Sequence, residues 1–261
     1  MCYTVKKEQD RIIIKRQMDI LYKDEDYIVV DKLYDLKIDL NSKASESDHL
    51  NNPNLADIMR RAFPYLINEK VYLVHQLDHA TSGAICIALH KKAARYASKL
   101  FERRSVLKVY EAIVVGHVGF TENHVCIKIA RDENHPIAMK VVEEETPESK
   151  RCETLVEFVN HGHIFIDGNN REVSFVRLYP KTGRQHQLRL TMKSLVGDYI
   201  YETGGGQRER MMLHAKELIL PFDKRSHINP GEFNKNGLTG FRKIQDFSRS
   251  HKRHLQITLL N

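Results

Sequence analysis

The chain has 261 residues, 41% of them hydrophobic, which is ample for one large domain with a buried core. Lys and Arg number 41 against 34 Asp and Glu, a formal net charge of +7 that favours a polyanionic partner such as nucleic acid. Four scattered cysteines (Cys2, Cys86, Cys126, Cys152) without CxxC spacing argue against a disulfide scaffold, and no run approaches the roughly 18 apolar residues of a membrane span.

Taken in order, residues 1–18 are charged with one β-branched cluster, Ile12-Ile13-Ile14, and predict a flexible arm or an edge strand. Glu8 and Asp10 weigh against a mitochondrial transit segment, and with free thiols and no apolar leader the expected setting is intracellular. Cytoplasm is the first expectation, with mitochondrion and nucleus left open. The stretch from Asp19 to Lys32 predicts two strands around the acidic turn Asp24-Glu25-Asp26. Asn41 to Asn54 is rich in Ser, Asp and Asn and predicts a surface loop. A short helix over about Leu55 to Ala62 then stops before Pro64.

The apolar runs Val71-Tyr72-Leu73-Val74 and Ala84-Ile85-Cys86-Ile87-Ala88-Leu89 predict two buried strands, joined by a loop whose acid is Asp78. A helix follows over about Lys91 to Arg103, with Ala93, Ala97, Leu100 and Phe101 inward. Lys92, Arg95, Lys99 and Arg103 share its outer side, either as a phosphate-tracking face or as ordinary solvated charge. Lys108 to Gly116 alternates as a strand, with Lys108, Tyr110, Ala112 and Val114 on one face.

Further β-prone segments are Val125 to Ala130, Ala138 to Val142, Thr154 to Val159, His163 to Ile166 and Val173 to Tyr179. Glu143-Glu144-Glu145 and Pro147 mark a loop among them. Pro180 to Arg184 reads as a turn, and Gln185 to Val196 as a helix with Leu188, Met192, Leu195 and Val196 inward. Arg189 lies about 100° from Leu188, at the margin of that stripe. Gly204-Gly205-Gly206 is loop-like, and Met211 to Ala215 leads into a strand at Glu217 to Leu220. The organisation expected is an arm (1–18), one α/β domain (19–222) and a basic C-terminal segment (223–261) whose Leu255 to Leu260 offers an added edge strand.

Most catalytic signatures are absent. HExxH, Cys/His ligand clusters, a P-loop, a dinucleotide-binding glycine pattern and a G-x-S-x-G elbow do not occur. What remains is Asp78 in a strand-to-strand loop, Tyr110 on a strand, and Arg184 with Arg189 around a turn and helix. An ionised carboxylate in a partly dry cleft needs a cation, and a guanidinium stays charged there. An aromatic ring gives a base a stacking surface. Spacing alone does not prove that the trio meets, and a solvated loop acid remains the competing reading.

Four motifs carry a resemblance. His75-Gln76-Leu77-Asp78-His79-Ala80-Thr81-Ser82-Gly83, Lys108-Val109-Tyr110-Glu111-Ala112-Ile113-Val114-Val115-Gly116, Pro180-Lys181-Thr182-Gly183-Arg184-Gln185-His186-Gln187-Leu188-Arg189 and Leu213-His214-Ala215 occur in this order. They resemble H-[RQ]-L-D-x-x-T-S-G, K-x-Y-x-A-x-V-x-G, P-x-T-G-R-x-H-Q-x-R and L-H-A of the RluA-type RNA pseudouridine synthases. The likeness is greatest to the eukaryotic RNA pseudouridylate synthase domain-containing proteins, and it runs from about Asp19 to Leu220.

The resemblance implies an α+β fold with a mixed, mainly antiparallel sheet, flanking helices and a central RNA-binding cleft. It implies an isomerase acting on uridines of tRNA or rRNA, with no cofactor and no metal, working as a monomer. Asp78 matches the catalytic nucleophile at ribose C1′, by a covalent or a glycal route. Tyr110 matches the base-stacking tyrosine and Arg189 the arginine paired with the aspartate. Gln76, Thr81, Ser82, Arg184, His186 and Leu213 match substrate-binding positions, Arg184 and His186 either ordering the turn or touching RNA.

Departures are also visible. Gln76 stands where bacterial members mostly carry Arg, Asp31-Lys32-Leu33 replaces Asn-Lys-Pro, and the chain between Arg189 and Gly197-Asp198 lacks the usual Gly-His-Pro. The arm is too short for an S4-type RNA-binding domain, so none is expected. Two rivals stay open: an RNA-binding or chaperone-like protein of the same fold with weak catalysis, and a nucleoside hydrolase, which needs a second acid beside Asp78.

Overall fold

The computed structural model describes residues 18–38, 53–66, 70–166, 168–201, 210–221, 241–245 and 257–259. Ile12-Ile13-Ile14, most of the Asn41 to Asn54 loop and Gly204-Gly205-Gly206 lie outside these residues. Among the described residues no helix is long and apolar enough to cross a membrane.

The chain opens with β1 (Ile20–Lys23) and β2 (Tyr27–Lys32), antiparallel around the turn expected at Asp24. Asp24 Oδ1 accepts from the N–H groups of Asp26 and Tyr27 at 2.8 and 2.7 Å, so the side chain itself closes the turn. Helix α1 (Leu55–Ala62) has the bounds expected from sequence. It starts on a capping box: Asn54 Oδ1 accepts from the Asp57 N–H, and the Asp57 carboxylate accepts from the Asn54 N–H. β3 (Tyr72–Leu73) and β4 (Ser82–Ala88) flank the acidic loop, and α2 (Lys91–Glu102) follows, capped by His90 Nδ1.

Every residue of β2 and β4 is buried, because helices cover both faces of this part of the sheet. Tyr27, Val29, Cys86 and Ala88 pack with Ala93 and Ala97 of α2. Ile28, Val30, Ile85 and Ile87 point the other way, onto Leu55 and Met59 of α1. The period-two alternation thus sorts an unbroken apolar run into two cores.

The remaining strands are β5 (Leu107–Val115), β6 (Glu122–Arg131), β7 (Met139–Val142), β8 (Lys150–Ile166), β9 (Asn169–Pro180), β10 (Leu213–Pro221), β11 (Phe241–Gln245) and β12 (Ile257–Leu259), with helix α3 (Gln187–Met192) between β9 and β10. They form one sheet in the order β1-β2-β4-β10-β5-β9-β8-β6-β7, antiparallel except for β4 against β10. This is the mixed, mainly antiparallel sheet expected. The segments expected at Thr154 to Val159 and His163 to Ile166 are one strand, β8, whose pairing with β9 shifts register between Phe158 and Asn160. β11 joins β10, and β12 joins the far half of β8.

Two features shape the middle of the sheet. β10 crosses β4 only at His214–Ser82 and Ala215–Gly83, where a β-carbon on Gly83 would lie 2.3 Å from the Ala215 carbonyl oxygen. The helix expected over Gln185 to Val196 is shorter: Lys193 turns left-handed at φ 52°, and Ser194 and Val196 then hydrogen-bond to Val115 and Ile113 of β5. Leu195 is therefore buried as part of a strand-like contact with Val114.

Candidate active site

A cavity of about 690 Å³ opens where the loop between β3 and β4, the end of α2, strand β5, the turn after β9 and the start of α3 converge. Gln76, Asp78, Thr81, Tyr110, Arg184, His186 and Leu213 all line it. Arg189 and Ser82 do not. Ser82, expected at the substrate, is 3% exposed behind the wall, its Oγ held by Arg210 at 2.6 Å and by His214 Nδ1 at 2.9 Å. It joins the start of β4 to β10 rather than presenting a hydroxyl to the cavity.

Arg189 sits beneath Asp78, 2% exposed. Its Nη1 lies 3.8 Å from Asp78 Oδ2, an ion pair without hydrogen-bond contact. Its closest partner is another acid: Nε reaches Asp198 Oδ2 at 2.8 Å and Nη2 reaches Asp198 Oδ1 at 2.5 Å. Burial alone disfavours the charge on Arg189, but the hydrogen bonds and charge of Asp198, then the charge of Asp78, outweigh it and raise its pKa. The rings of Tyr201 and Tyr199 stand 5.0 and 5.7 Å from the guanidinium carbon. Tyr201 also fixes the wall, since its hydroxyl shares a hydrogen bond with His186 Nδ1 and accepts from the Met139 N–H, both at 2.7 Å.

Asp78 itself is about one-quarter exposed, on the wall of the cavity. Among the described residues its carboxylate accepts no hydrogen bond, so its lone pairs are uncommitted, with the Arg189 cation close by and shared with Asp198. Tyr110, on the same wall, has its phenol pKa raised by burial and then by the charge of Asp78, so it stays neutral. A neutral ring beside an anion suits stacking on a base and avoids a second negative charge.

The loop that carries Asp78 is held from below. Lys32, fully buried, donates to the carbonyls of Leu33 and Leu36 at 2.9 Å and of His79 at 3.0 Å. Burial lowers its pKa to about 7, with Asp35 and Asp78 opposing. His75 accepts the Cys86 N–H at 2.8 Å through Nε2 and stacks on Phe101 at 4.6 Å. Burial lowers its pKa to about 3, so it is neutral. The turn after β9 is pinned by Gln187: Oε1 accepts from Thr182 Oγ1 and the Arg184 N–H, while Nε2 donates to the Glu153 carbonyl and Thr154 Oγ1. All four bonds of this buried amide are made inside the protein.

Reading along the sequence singled out Asp78, Tyr110 and Arg189, and the structure brings these three together. It missed Asp198, Lys32 and Gln187. Gly197-Asp198 was visible only as a landmark, and nothing local marks its acid as a partner for Arg189. The outer-face line Lys92, Arg95, Lys99 and Arg103 does not reach the cavity; α2 contributes Phe101, Glu102 and then Arg104 instead. Among the described residues no three His, Cys, Asp or Glu side chains cluster as a metal site would.

Residues 26–194 match the RNA pseudouridylate synthase family. RNA pseudouridylate synthase domain-containing protein 1 of Bos taurus is 36% identical over 217 residues, 77% of this chain and 67% of that one. Dual-specificity RNA pseudouridine synthase RluA of Yersinia pestis is 31% identical over 209 residues, 78% of this chain and 92% of that one. Among solved structures, human RNA pseudouridylate synthase domain containing 1 superposes with a TM-score of 0.65 at 32% identity, covering 78% of each chain.

Proposed function

The chain belongs to the RNA pseudouridylate synthase family, as an RluA-type isomerase acting on RNA, and from that premise we propose that Asp78 is its nucleophile. The carboxylate adds to C1′ of a flipped uridine as the N1–C1′ bond breaks and the electron pair leaves with the uracil. The uracil turns, C5 bonds to C1′ and displaces the carboxylate, the C5 proton is lost, and N1 gains a proton. Nothing is oxidised or consumed.

The observation that carries this assignment is the uncommitted carboxylate of Asp78 on the cavity wall, ion-paired at 3.8 Å to a guanidinium whose hydrogen bonds go elsewhere. Tyr110 stacks on the uracil, Leu213 packs against it, and Gln76 occupies space near the vacated stack. A hydrolase would need a second acid beside Asp78 to activate water; Asp198 is 1% exposed and committed to Arg189, which leaves Glu102 as the other carboxylate on the cavity wall. We assign uridines of tRNA or rRNA as substrates for a monomeric enzyme; a relative named for dual specificity supports more than one RNA target.

The test is incubation with unmodified tRNA and rRNA transcripts and mapping of pseudouridine by chemical tagging. Wild-type protein should form product, and Asp78→Asn should lower the rate by about 10³-fold or more while RNA binding and Tm stay near wild type. Equal rates for the two proteins would remove Asp78 from the chemistry. RNA binding without product from either would favour the binding-protein reading.

A further inference from the structure

Helix α2 ends on an arginine where the backbone favours glycine. Arg103 caps the helix and Arg104 follows at φ 59°, its N–H bonded to the Phe101 carbonyl, while the Ser105 N–H returns to the Leu100 carbonyl. Glycine commonly fills this left-handed position because a β-carbon crowds the neighbouring carbonyl. Backbone strain of this kind concentrates at functional sites. Arg104 is exposed and lines the cavity.

The wall there carries four cations, Arg104, Lys108, Lys181 and Arg184, against two carboxylates, Asp78 and Glu102. Asp78 shares the Arg189 guanidinium with Asp198. Among the described residues neither Arg104 nor Arg184 has an ion-pair partner. Lys108 links their two elements, because its Nζ donates to the Thr182 carbonyl at 3.2 Å in the turn that carries Arg184.

Resting on the pseudouridine synthase reading, we infer that Arg104 binds a backbone phosphate of the RNA strand beside the flipped uridine, with Arg184 holding a second phosphate. A guanidinium fork matches phosphate oxygens, and an unpaired one facing a cavity is ready for an incoming anion. The lowered pKa of Lys108, about 8 through burial and then the charge of Arg104, agrees with cations crowded together and short of anions.

Arg104→Gly separates this role from a structural one, since it removes the side chain and supplies the residue the backbone prefers. The protein should keep or raise its Tm, and kcat should stay within about twofold. KM for an unmodified tRNA transcript should rise about tenfold, and the log–log salt slope of binding should shrink by about one. Arg104→Glu should raise KM further. Unchanged KM and salt slope in Arg104→Gly would overturn the inference, as would a fall in Tm with an unchanged slope. Because the slope is read from binding, a wild-type protein without turnover but with the same loss of slope would overturn the enzymatic reading and leave the phosphate contact standing.

Discussion

Arg189 grips Asp198 through two hydrogen bonds, at 2.8 and 2.5 Å, and both side chains are almost wholly buried. This pair builds the floor on which Asp78 rests. With Nε and Nη2 bonded to Asp198, the nitrogen that pairs with Asp78 is Nη1, at 3.8 Å. The arrangement sets a cation beside Asp78 without tying up its lone pairs.

Asp198→Ala leaves the Arg189 charge buried without its main partner, which typically costs about 3–5 kcal/mol. Tm should fall, and Arg189 should swing to Asp78, lowering the single-turnover rate by about 10²-fold through the misplaced nucleophile. Thermal melts and single-turnover assays check both. An unchanged Tm would show that the pair does not support the fold.

Gln76 is exposed on the cavity wall. Gln76→Arg adds a cation to the wall of the proposed RNA cleft, so the salt slope of binding should steepen by about one and the pattern of modified uridines should shift. Stability should change by no more than about 0.5 kcal/mol, as for other surface positions. Identical binding and identical modification maps would mean that this side chain does not face the RNA.

Lys32 yields a pH signature. Its pKa is lowered from 10.5 to about 7 by burial, so between these values the unfolded chain holds a proton that the folded protein has released. Stability therefore rises with pH across that window on account of Lys32, by at most about 1.4 kcal/mol per pH unit, and the effect saturates below pH 7 and above 10.5. Denaturant melts at several pH values should show this slope in wild type and a shallower one in Lys32→Met. Parallel curves would contradict the shift.

Gly83→Ala should destabilise the fold by about 3 kcal/mol or more. Gly83 has φ 115°, and an added β-carbon would meet backbone atoms of Ala215 at 2.3–2.8 Å, where no flexible side chain can yield. The loss would fall on the parallel crossing of β4 and β10 that sets β10, and with it Leu213, against the Asp78 loop. A melt indistinguishable from wild type would show that the two backbones separate easily.

Local chemistry made much of this protein legible in its sequence. Pro64 stops α1, and the acidic turn at Asp24 divides the first two strands. The spacing of Ala93 and Ala97 fixes the buried side of α2. Four motifs in order pointed to the family and to Asp78, Tyr110 and Arg189. Local signals failed where a distant segment competed for the backbone. The helix read as far as Val196 stops at Met192, because Ser194 and Val196 find partners on β5.

What only the tertiary structure decided are the pairings between residues remote in sequence. Lys32 ties to His79 across 47 positions and Ser82 to Arg210 across 128. Residue type shows that a buried cation must find acceptors and a buried acid a cation, but not which ones. That choice follows from how the strands stack: β4 against β10 and β9 beside β5 bring the four motifs to one cavity, and Asp198 under Arg189. Sequence therefore determined the chemistry available, and packing determined which carboxylate is bound fast and which is left without a hydrogen bond.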